Sequence, residues 1–405
     1  MDRLMFATRL SALLVALHVV GMTTAMAQTV RVAVKNPSAV ARPGEPVVIR
    51  WNILRHHVSA LPRSVIVKDA RGKLYENQVD DLDIDGVPDE LTFVADFGAR
   101  EEKVFAIRAS PRAKSKSARM RTDAADWKRI DGVLRAIDDD DVPGAKRVRG
   151  DYRFDGVGWE SELTAYRLYL DDRNAVDILG KRKPGLYWNY IGTSGVDYQM
   201  DADWGMDVLH VGSALGIGGI GFWVGDSVLK PLSVDAQRTR ILARGPVRTV
   251  VSVDYTGWDK GRGKVDLKST FFQYAGERAC EHRVTLKSSG PPDTIVAGIV
   301  RHDSTSTTWD PAQGSLWTAG HQSRAGDSLM MALNVSLPQL IRETEGAYDH
   351  LILLALRNGS PVRILLSYVW QGETGRMWTT PEIEAYVRAC GRRLNEPLGI
   401  RPLAH

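Results

Sequence analysis

Val247-Arg-Thr-Val-Val-Ser-Val-Asp-Tyr255 and Lys268-Ser-Thr-Phe-Phe-Gln-Tyr274 decide the fold class. Both are short and rich in β-branched and aromatic residues. Apolar and polar side chains alternate along them, as in antiparallel sheets with one polar face. Thr164-Ala-Tyr-Arg-Leu-Tyr-Leu170, Cys280-Glu-His-Arg-Val-Thr-Leu286 and Val362-Arg-Ile-Leu-Leu-Ser-Tyr-Val369 repeat the pattern. Strands and helices do not alternate, which argues against a doubly wound sheet or a (β/α)8 barrel. No repeat of 20 to 50 residues is visible, which disfavours propellers and solenoids. The chain changes character at its end. Thr380 as N-cap and Pro381 in the first turn open a helix through Glu382-Ile-Glu-Ala-Tyr-Val-Arg-Ala-Cys390, expected to stop near Gly391.

Working outward, the N-terminal part is also β. Val30–Val34, Pro46–Trp51, Ser64–Val67, Leu91–Val94 and Lys103–Ile107 are short β-prone runs separated by turn formers such as Arg42-Pro43-Gly44-Glu45. They predict a small β-sandwich over 28–110. Residues 111–150 are charged, with Arg112-Ala-Lys114-Ser-Lys116-Ser-Ala-Arg119-Met-Arg121 and the acidic run Asp138–Asp141. They read as a linker with one short helix over Asp123–Ile137, because Trp127, Ile130 and Leu134 recur at helical spacing. The large β domain then takes 151–405. The fold class is mainly β, with one closing helix.

The first 27 residues have the three parts of a secretory signal: basic Arg3 and Arg9, an apolar run from Leu10 to Met22, and Thr23-Thr24-Ala25-Met26-Ala27 as the small-x-small site. Cleavage after Ala27 predicts a periplasmic or secreted protein; the rival reading is an uncleaved anchor. The apolar run falls short of the roughly 20 residues a spanning helix needs, and no later stretch is long and apolar enough. No stable membrane insertion is therefore expected once the signal is cut. The net charge of +4 drops by one when Arg3, Arg9 and Asp2 leave. That is too mild for nucleic-acid binding, and no basic stripe interleaves with aromatics. The two cysteines, Cys280 and Cys390, lack zinc or redox spacing. An oxidising compartment permits a disulfide between them, and buried free thiols are the alternative.

Several segments carry candidate chemistry. Asp81, Asp83, Asp85 and Asp89 surround the Asp85-Gly86 turn like the first half of a calcium loop, although Thr92 stands where such a loop needs a carboxylate. A structural Ca2+ is one reading; an acidic turn is the other. Trp159-Glu160-Ser-Glu162-Leu-Thr-Ala-Tyr166-Arg167, taken as one strand, puts Glu160, Glu162 and Tyr166 on one face and Trp159 and Arg167 on the other. Tyr198, Trp204, Asp207 and His210 form the densest cluster, suited to sugar binding by an aromatic platform and hydroxyl-accepting acids. Gly216-Ile-Gly218-Gly219-Ile-Gly221 lacks the Gly-Lys-Ser/Thr and helix of a nucleotide loop. His282 and His302 are candidate bases, because imidazole titrates near neutrality. No Gly-x-Ser-x-Gly appears, so serine-hydrolase chemistry is disfavoured.

Gln78-Val-Asp80, Asp85-Gly86-Val-Pro-Asp89-Glu90-Leu91, Trp159-Glu160 with Ala165-Tyr166-Arg167, Trp204–Gly212, Gly218-Gly219 and Gly245-Pro246-Val247-Arg248 occur in an order that resembles the bacterial family called domain of unknown function 4861. The resemblance runs from about residue 30 to Pro397-Leu398. It departs in the longer, more charged 111–150 segment and at Ile84, where a small residue is usual. It implies a galactose-mutarotase-like β-supersandwich after the small β domain, in an exported protein of polysaccharide-degrading bacteria. Members are associated with uronate-rich glycans such as pectin, alginate or ulvan, and the resemblance supplies no reaction.

Three functions compete. Elimination on uronate-containing oligosaccharides needs a cation for the carboxylate, a base and an acid. Arg167 and Lys181 are candidates for the cation, His210 or His282 for the base, and Tyr198 for the acid. Trp204 is the platform, with Trp159 and His302 as further substrate contacts. A glycoside hydrolase would instead pair Glu162 with Asp207. A non-catalytic glycan-binding protein would show a tryptophan-lined groove without converging titratable groups.

Overall fold

The computed structural model describes residues 29–54, 64–110, 119–144, 147–148, 150–192, 197–287, 292–303, 305–374 and 378–403. The proposed signal lies outside the described residues. At the centre is an antiparallel nine-stranded sheet. Its order is Asp139–Pro143, Ala236–Ala243, Arg248–Asp259, Lys264–Tyr274, Cys280–Leu286, Val362–Trp370, Ser328–Val335, Ser315–His321 and Thr305–Asp310. The two stretches that fix the fold class are neighbours in it, with Val250 opposite Phe272 and Ser252 opposite Thr270.

Two five-stranded sheets cover one face of the nine. One runs Gly205–Asp207, Val176–Lys181, Ala165–Tyr169, Gly156–Ser161, Thr122–Ala125. The other runs Ser227–Leu229, Ile217–Val224, Asp293–Val300, Asp349–Leu356, Leu340–Glu345. Val157, Tyr166 and Ile178 from the first, Ile220, Ile295 and Ile352 from the second, and Val251, Leu267 and Leu366 from the nine-stranded sheet form one apolar cluster. This is the supersandwich. The far face of the central sheet is polar over much of its area, with Asp254, Lys268, Glu281, Arg283 and Arg363, but part of it is apolar and covered. Val250, Phe272 and Tyr274 point away from that cluster and pack with Val48 and Leu82 of the small domain.

That small domain is a sandwich of a three-stranded sheet (Arg42–Arg50, Glu90–Phe97, Asn77–Asp80) and a five-stranded one (Gly399–Pro402, Thr29–Lys35, Glu102–Ala109, Val65–Asp69, Leu74–Tyr75). Its edge strand comes from the far end of the chain: Val32 pairs with Pro402. The division at 151 therefore gave too much to the large domain. Arg248, fully buried, reaches across from the nine-stranded sheet to Asp80 at 2.7 Å and Glu90 at 2.9 Å.

Among its described residues, the segment read as linker and helix holds four strands. Trp127–Ile130 and Val133–Ala136 form a hairpin, turned by Asp131 and Gly132 with φ of 51° and 79°. An Asp-Gly pair with both φ positive is the two-residue hairpin turn, and it overrides the chance helical spacing of Trp127, Ile130 and Leu134. Nor is the acidic run a solvated loop. Asp139–Pro143 pairs with Ala236–Ala243, and Asp140 is buried against Lys128 and Tyr152.

The helix spans Thr380–Asn395, capped by Thr379 in a reciprocal capping box with Glu382. It does not stop at Gly391. A Cβ there would lie 3.1 Å from the Gln313 carbonyl oxygen, so this glycine allows close packing on the sheet. Both cysteines are free and buried. Cys280 faces the large core, while Cys390 packs with Ala279 and Leu365 under the helix, so the nine-stranded sheet separates them. Among the described residues no helix is long and apolar enough to cross a membrane.

Candidate functional site

Trp159 to Arg167 is not one strand but a hairpin, and the turn reverses the parity assumed for its faces. Gly156–Ser161 and Ala165–Tyr169 pair with Trp159 opposite Tyr166 and Gly158 opposite Arg167. Residues opposite each other across an antiparallel pair share a face. Trp159 and Tyr166 therefore point together into the core, while Glu160 and Arg167 point together outward. The next strands continue both faces, with Arg167 opposite Asp177 and Leu179 opposite Asp207. The outer face of this sheet thus collects Glu160, Arg167, Asp177, Lys181 and Asp207. All five are at most 3% exposed, because 183–192 and 197–204 fold over them, with Tyr187, Trp188, Tyr198 and Trp204 in one apolar cluster with Phe154.

Arg167 is the hub. Its Nη2 donates to Asp177 Oδ2 and to the Tyr169 hydroxyl at 2.6 Å, and it lies 3.6 Å from Asp207 Oδ2. The Tyr169 hydroxyl in turn donates to Asp177 at 2.9 Å. The guanidinium carbon stands 4.6 Å from the Tyr169 ring, 5.2 Å from the Tyr198 ring and 5.8 Å from the Phe154 ring. Asp207 Oδ1 and Arg167 Nε are buried without a hydrogen-bond partner among the described residues. Burial, reinforced by the nearby charge of Asp177, pushes the Asp207 carboxyl up to about 8 despite Arg167. Both effects favour the protonated form of Asp207. One guanidinium holding an ion pair and a protonated carboxyl beside two phenols is an arrangement for proton transfer.

Lys181 has a different task. Its Nζ donates to Glu160 Oε2, the Ser161 carbonyl and the Gly185 carbonyl, which uses all three protons. Glu160 Oε1 accepts the N–H groups of Tyr187 and Trp188 at 2.7 and 2.8 Å. Burial lowers the Lys181 pKa and raises that of Glu160. The pair fastens the covering segment to the sheet, and Lys181 is not free for a substrate carboxylate. Trp204 is 4% exposed and tilts against Tyr187 at 6.1 Å, so it is a wall under that segment and not an open platform.

The other expected site residues lie elsewhere. Trp159 is core, stacked 4.3 Å from Phe271 with its indole N–H on Cys280 Sγ. His282 is core too, stacked 4.2 Å from Phe271. Its nitrogens lie 3.0 Å from the Gly218 carbonyl and 3.0 Å from the Ser269 hydroxyl. Burial lowers its pKa to about 4, and no substrate reaches it. Glu162 occupies the hairpin turn, where Arg121 and the Gly276 N–H hold it; it belongs to a different set of partners from Asp207. His210 and His302 do meet, but in a separate pocket of about 310 Å³ that Ser213, Arg301, Asp303 and Tyr348 also line. Burial and the neighbouring His210 lower the His302 pKa.

The larger cleft of about 420 Å³ between the small sandwich, the nine-stranded sheet and the helix is rich in charge. Its charges are already matched, Arg283 and Arg363 on Glu281 and Arg393 on Glu45. In the acidic loop Asp81, Asp83 and Asp89 bring ligand oxygens within 4.8 Å of one another, and Asp85 stays outside the group. Asp81 and Asp89 also accept loop N–H groups, as an acidic turn without a cation would.

Sequence reasoning missed Asp177, Tyr169 and Phe154. The signal for Asp177 was present: an aspartate inside Val176-Asp177-Ile178-Leu179, an otherwise apolar strand interior, is costly to bury unless paired.

With this geometry in view, the comparisons fall into place. The family model of DUF4861, a domain of unknown function, matches residues 34–400. The chain belongs to the DUF4861 family. This DUF4861 protein is 22% identical over 395 residues to "Uncharacterized protein P7" of Formosa agariphila, covering 91% of the chain and 92% of that relative. Among solved structures it is similar to a protein in the glycosyl hydrolase family 38 from Enterococcus faecalis, with a TM-score of 0.43, 8% identity and 93% of the chain covered. An α-mannosidase of the same species gives a TM-score of 0.37, 9% identity and 93% coverage. The chain spans 47% and 46% of these two structures.

Proposed function

We propose that this DUF4861 protein is an exported enzyme acting on uronic-acid-containing oligosaccharides by elimination. The observation that carries the reading is the Arg167 guanidinium shared between Asp177 and Asp207, with Asp207 buried beneath an aromatic cover. In such an elimination a base takes the proton beside the uronate carboxylate. The C–O bond at the neighbouring carbon breaks, a C=C bond forms, and the leaving oxygen receives a proton. Asp207, 2% exposed, is the donor to that oxygen, which requires Tyr198 and its neighbours in the aromatic cover to make room for the sugar. Arg167 positions it and, through Asp177 and Tyr169, fixes the surrounding network. Tyr198, half-buried against Arg167, is the group left on this face to take the carbon-bound proton, as a phenolate that has first released its own proton to solvent, since His282 is sealed in the core and His210 lines another pocket. Tyr187 and Tyr198 supply aromatic surface for a pyranose ring. Export rests on the first 27 residues, and a cation in the acidic loop would stiffen the small sandwich without entering this chemistry.

The test is turnover of pectin, alginate and ulvan oligosaccharides by the purified protein, followed by absorbance of the unsaturated product. Absorbance growth on at least one substrate is expected. New reducing ends without that absorbance would mean hydrolysis, and the two carboxylates meeting at Arg167 favour that as the second reading. Saturable binding with unchanged ligand would mean a glycan-binding protein.

A further inference from the structure

Elimination beside a carboxylate requires a cation on that carboxylate, and the two sequence candidates are taken: Lys181 has three acceptors and Arg167 two aspartates. Around the same aromatic cover stands a guanidinium in the opposite condition. Arg153 lies 5.1 Å from the Trp127 ring and 5.2 Å from the Phe154 ring. The Phe154 ring is the one that also contacts Arg167 at 5.8 Å and Tyr198 at 5.5 Å. The Arg153 backbone is fixed by its N–H on the Trp127 carbonyl at 3.1 Å. Its Nε and Nη2 are buried without a hydrogen-bond partner among the described residues, and no acidic side chain there forms an ion pair with it.

Nε and Nη2 form the edge of a guanidinium that a carboxylate bridges with two parallel hydrogen bonds. This molecule uses that edge in the same way elsewhere, for Asp201 on Arg182 and for Asp139 on Arg238. On Arg153 the edge has no carboxylate. A buried cation with unmade hydrogen bonds is costly, so its retention beside the proton-transfer cluster asks for an anionic occupant. Arg153 as a residue is half-buried, whereas Arg167 is 2% exposed, so of the two it stands nearer the surface; Nε and Nη2 are themselves covered, and a ligand reaches them only where Trp127, Phe154 or the Gly192 turn gives way. The turn at Gly192 lies against it. At φ +67° and without a side chain, Gly192 leaves the backbone close to Nε, where an added Cβ would stand 3.2 Å away.

We propose that Arg153 is the substrate-binding residue that receives the uronate carboxylate, through its Nε/Nη2 edge between Trp127 and Phe154. The assignment rests on the elimination reading for the identity of the ligand and adds to it the residue that selects acidic over neutral sugars. A planar fork held between two rings admits a planar carboxylate in one orientation. The sugar is thereby fixed relative to Phe154, whose ring also borders Arg167 and Tyr198.

The experiment compares wild type, Arg153→Gln and Arg153→Lys. Binding of pectin, alginate and ulvan oligosaccharides and of their carboxyl-reduced, neutral counterparts is followed by calorimetry and tryptophan fluorescence. Thermal unfolding and the elimination assay run in parallel. Wild type should favour the acidic form of its ligand by about 10–100-fold, the range of a charge-assisted contact. Arg153→Gln should erase that preference. Arg153→Lys, keeping the charge but not the fork, should keep part of it, and it decides the matter if the glutamine variant fails to fold. Equal binding of acidic and neutral forms by wild type, or an unchanged preference in a folded variant, overturns the assignment. Turnover that ignores Arg153 removes this residue and leaves the elimination reading standing. Arg153-dependent binding of acidic sugar without unsaturated product does the reverse.

Discussion

The two faces of the sheet that runs from Gly205–Asp207 to Thr122–Ala125 are equally dry and chemically opposite. Inward, Val157, Trp159, Tyr166, Leu168 and Ile178 join the large apolar core. Outward, Glu160, Arg167, Asp177, Lys181 and Asp207 are just as hidden, under a segment that carries tyrosines and tryptophans. Apolar burial stabilises in proportion to area removed from water. Buried ion pairs at best offset their own desolvation, and a shape-matched apolar replacement is often neutral or better. An ionic layer maintained where an apolar one would fold as well is the mark of a surface kept for chemistry. The comparison also teaches that burial does not sort these residues: tryptophan and histidine on the inner side are packing, while arginine and aspartate on the outer side form the proposed site.

The comparison breaks most readily at Asp207. Asp207→Asn reproduces the shape of the protonated acid but cannot give up a proton in the same way. It should fold normally and lose about 10²–10⁴-fold in turnover, measured by product absorbance with thermal unfolding as the control. In wild type the activity should hold below pH of about 8 and fall as pH rises through it, because the donor is then ionised. The stability sign is the same. The folded value lies above the unfolded one, so this group's contribution is complete in acid and is lost as pH rises toward about 8. The asparagine variant should lose that slope in a pH series of unfolding midpoints.

On the inner face the expected outcome is inverted. Trp159→Ala removes a fully buried ring and should cost about 3–5 kcal/mol of stability, read from denaturant unfolding. Turnover per folded molecule should stay within a few-fold of wild type. A large specific loss of turnover would move Trp159 into the site and dissolve the contrast between the faces.

The smallest effect is expected at His282. His282→Gln keeps hydrogen-bonding capacity toward Ser269 or Gly218 and should cost about 1–2 kcal/mol, with turnover and its pH profile unchanged. The imidazole is buried neutral, with its value lowered to about 4. Its contribution is present above the ordinary histidine range and is lost as pH falls from there through about 4. An altered pH profile of turnover in this variant would restore His282 as the base.

Much of the architecture was legible in single strands. Val247–Tyr255 and Lys268–Tyr274 announced antiparallel sheet, Thr380 to Cys390 announced the helix with its cap one residue late, and the order of short motifs carried the family. Local reading failed where two signals shared one segment. Trp127, Ile130 and Leu134 suggested a helix, yet Asp131-Gly132 between them makes a hairpin. At Trp159–Arg167 the turn at Glu162 went unrecognised, and one missed turn exchanges the two faces of everything after it. Arg167, Lys181, Tyr198, Trp204 and Asp207 stand out in the sequence as candidates, and the fold brings them together, but what each one touches is not legible there. Whether a lysine is a free cation or a fastened one depends on acceptors such as Gly185 and Glu160, which meet it only after the sheet and its cover form.

By itself the sequence determined what strand periodicity and local capping can specify: a β-rich chain, a C-terminal helix and the residues rich in chemistry. Only the tertiary structure decided that the last strand closes the first domain and that His282 and Trp159 are packing. It alone showed that Arg167 holds Asp177 and Asp207, and that Arg153 stands beside them without a carboxylate. The physical reason is that periodicity is set by backbone neighbours. Burial, charge pairing and pKa are set by groups far apart in sequence, brought within a few ångströms by pairing across the sheet.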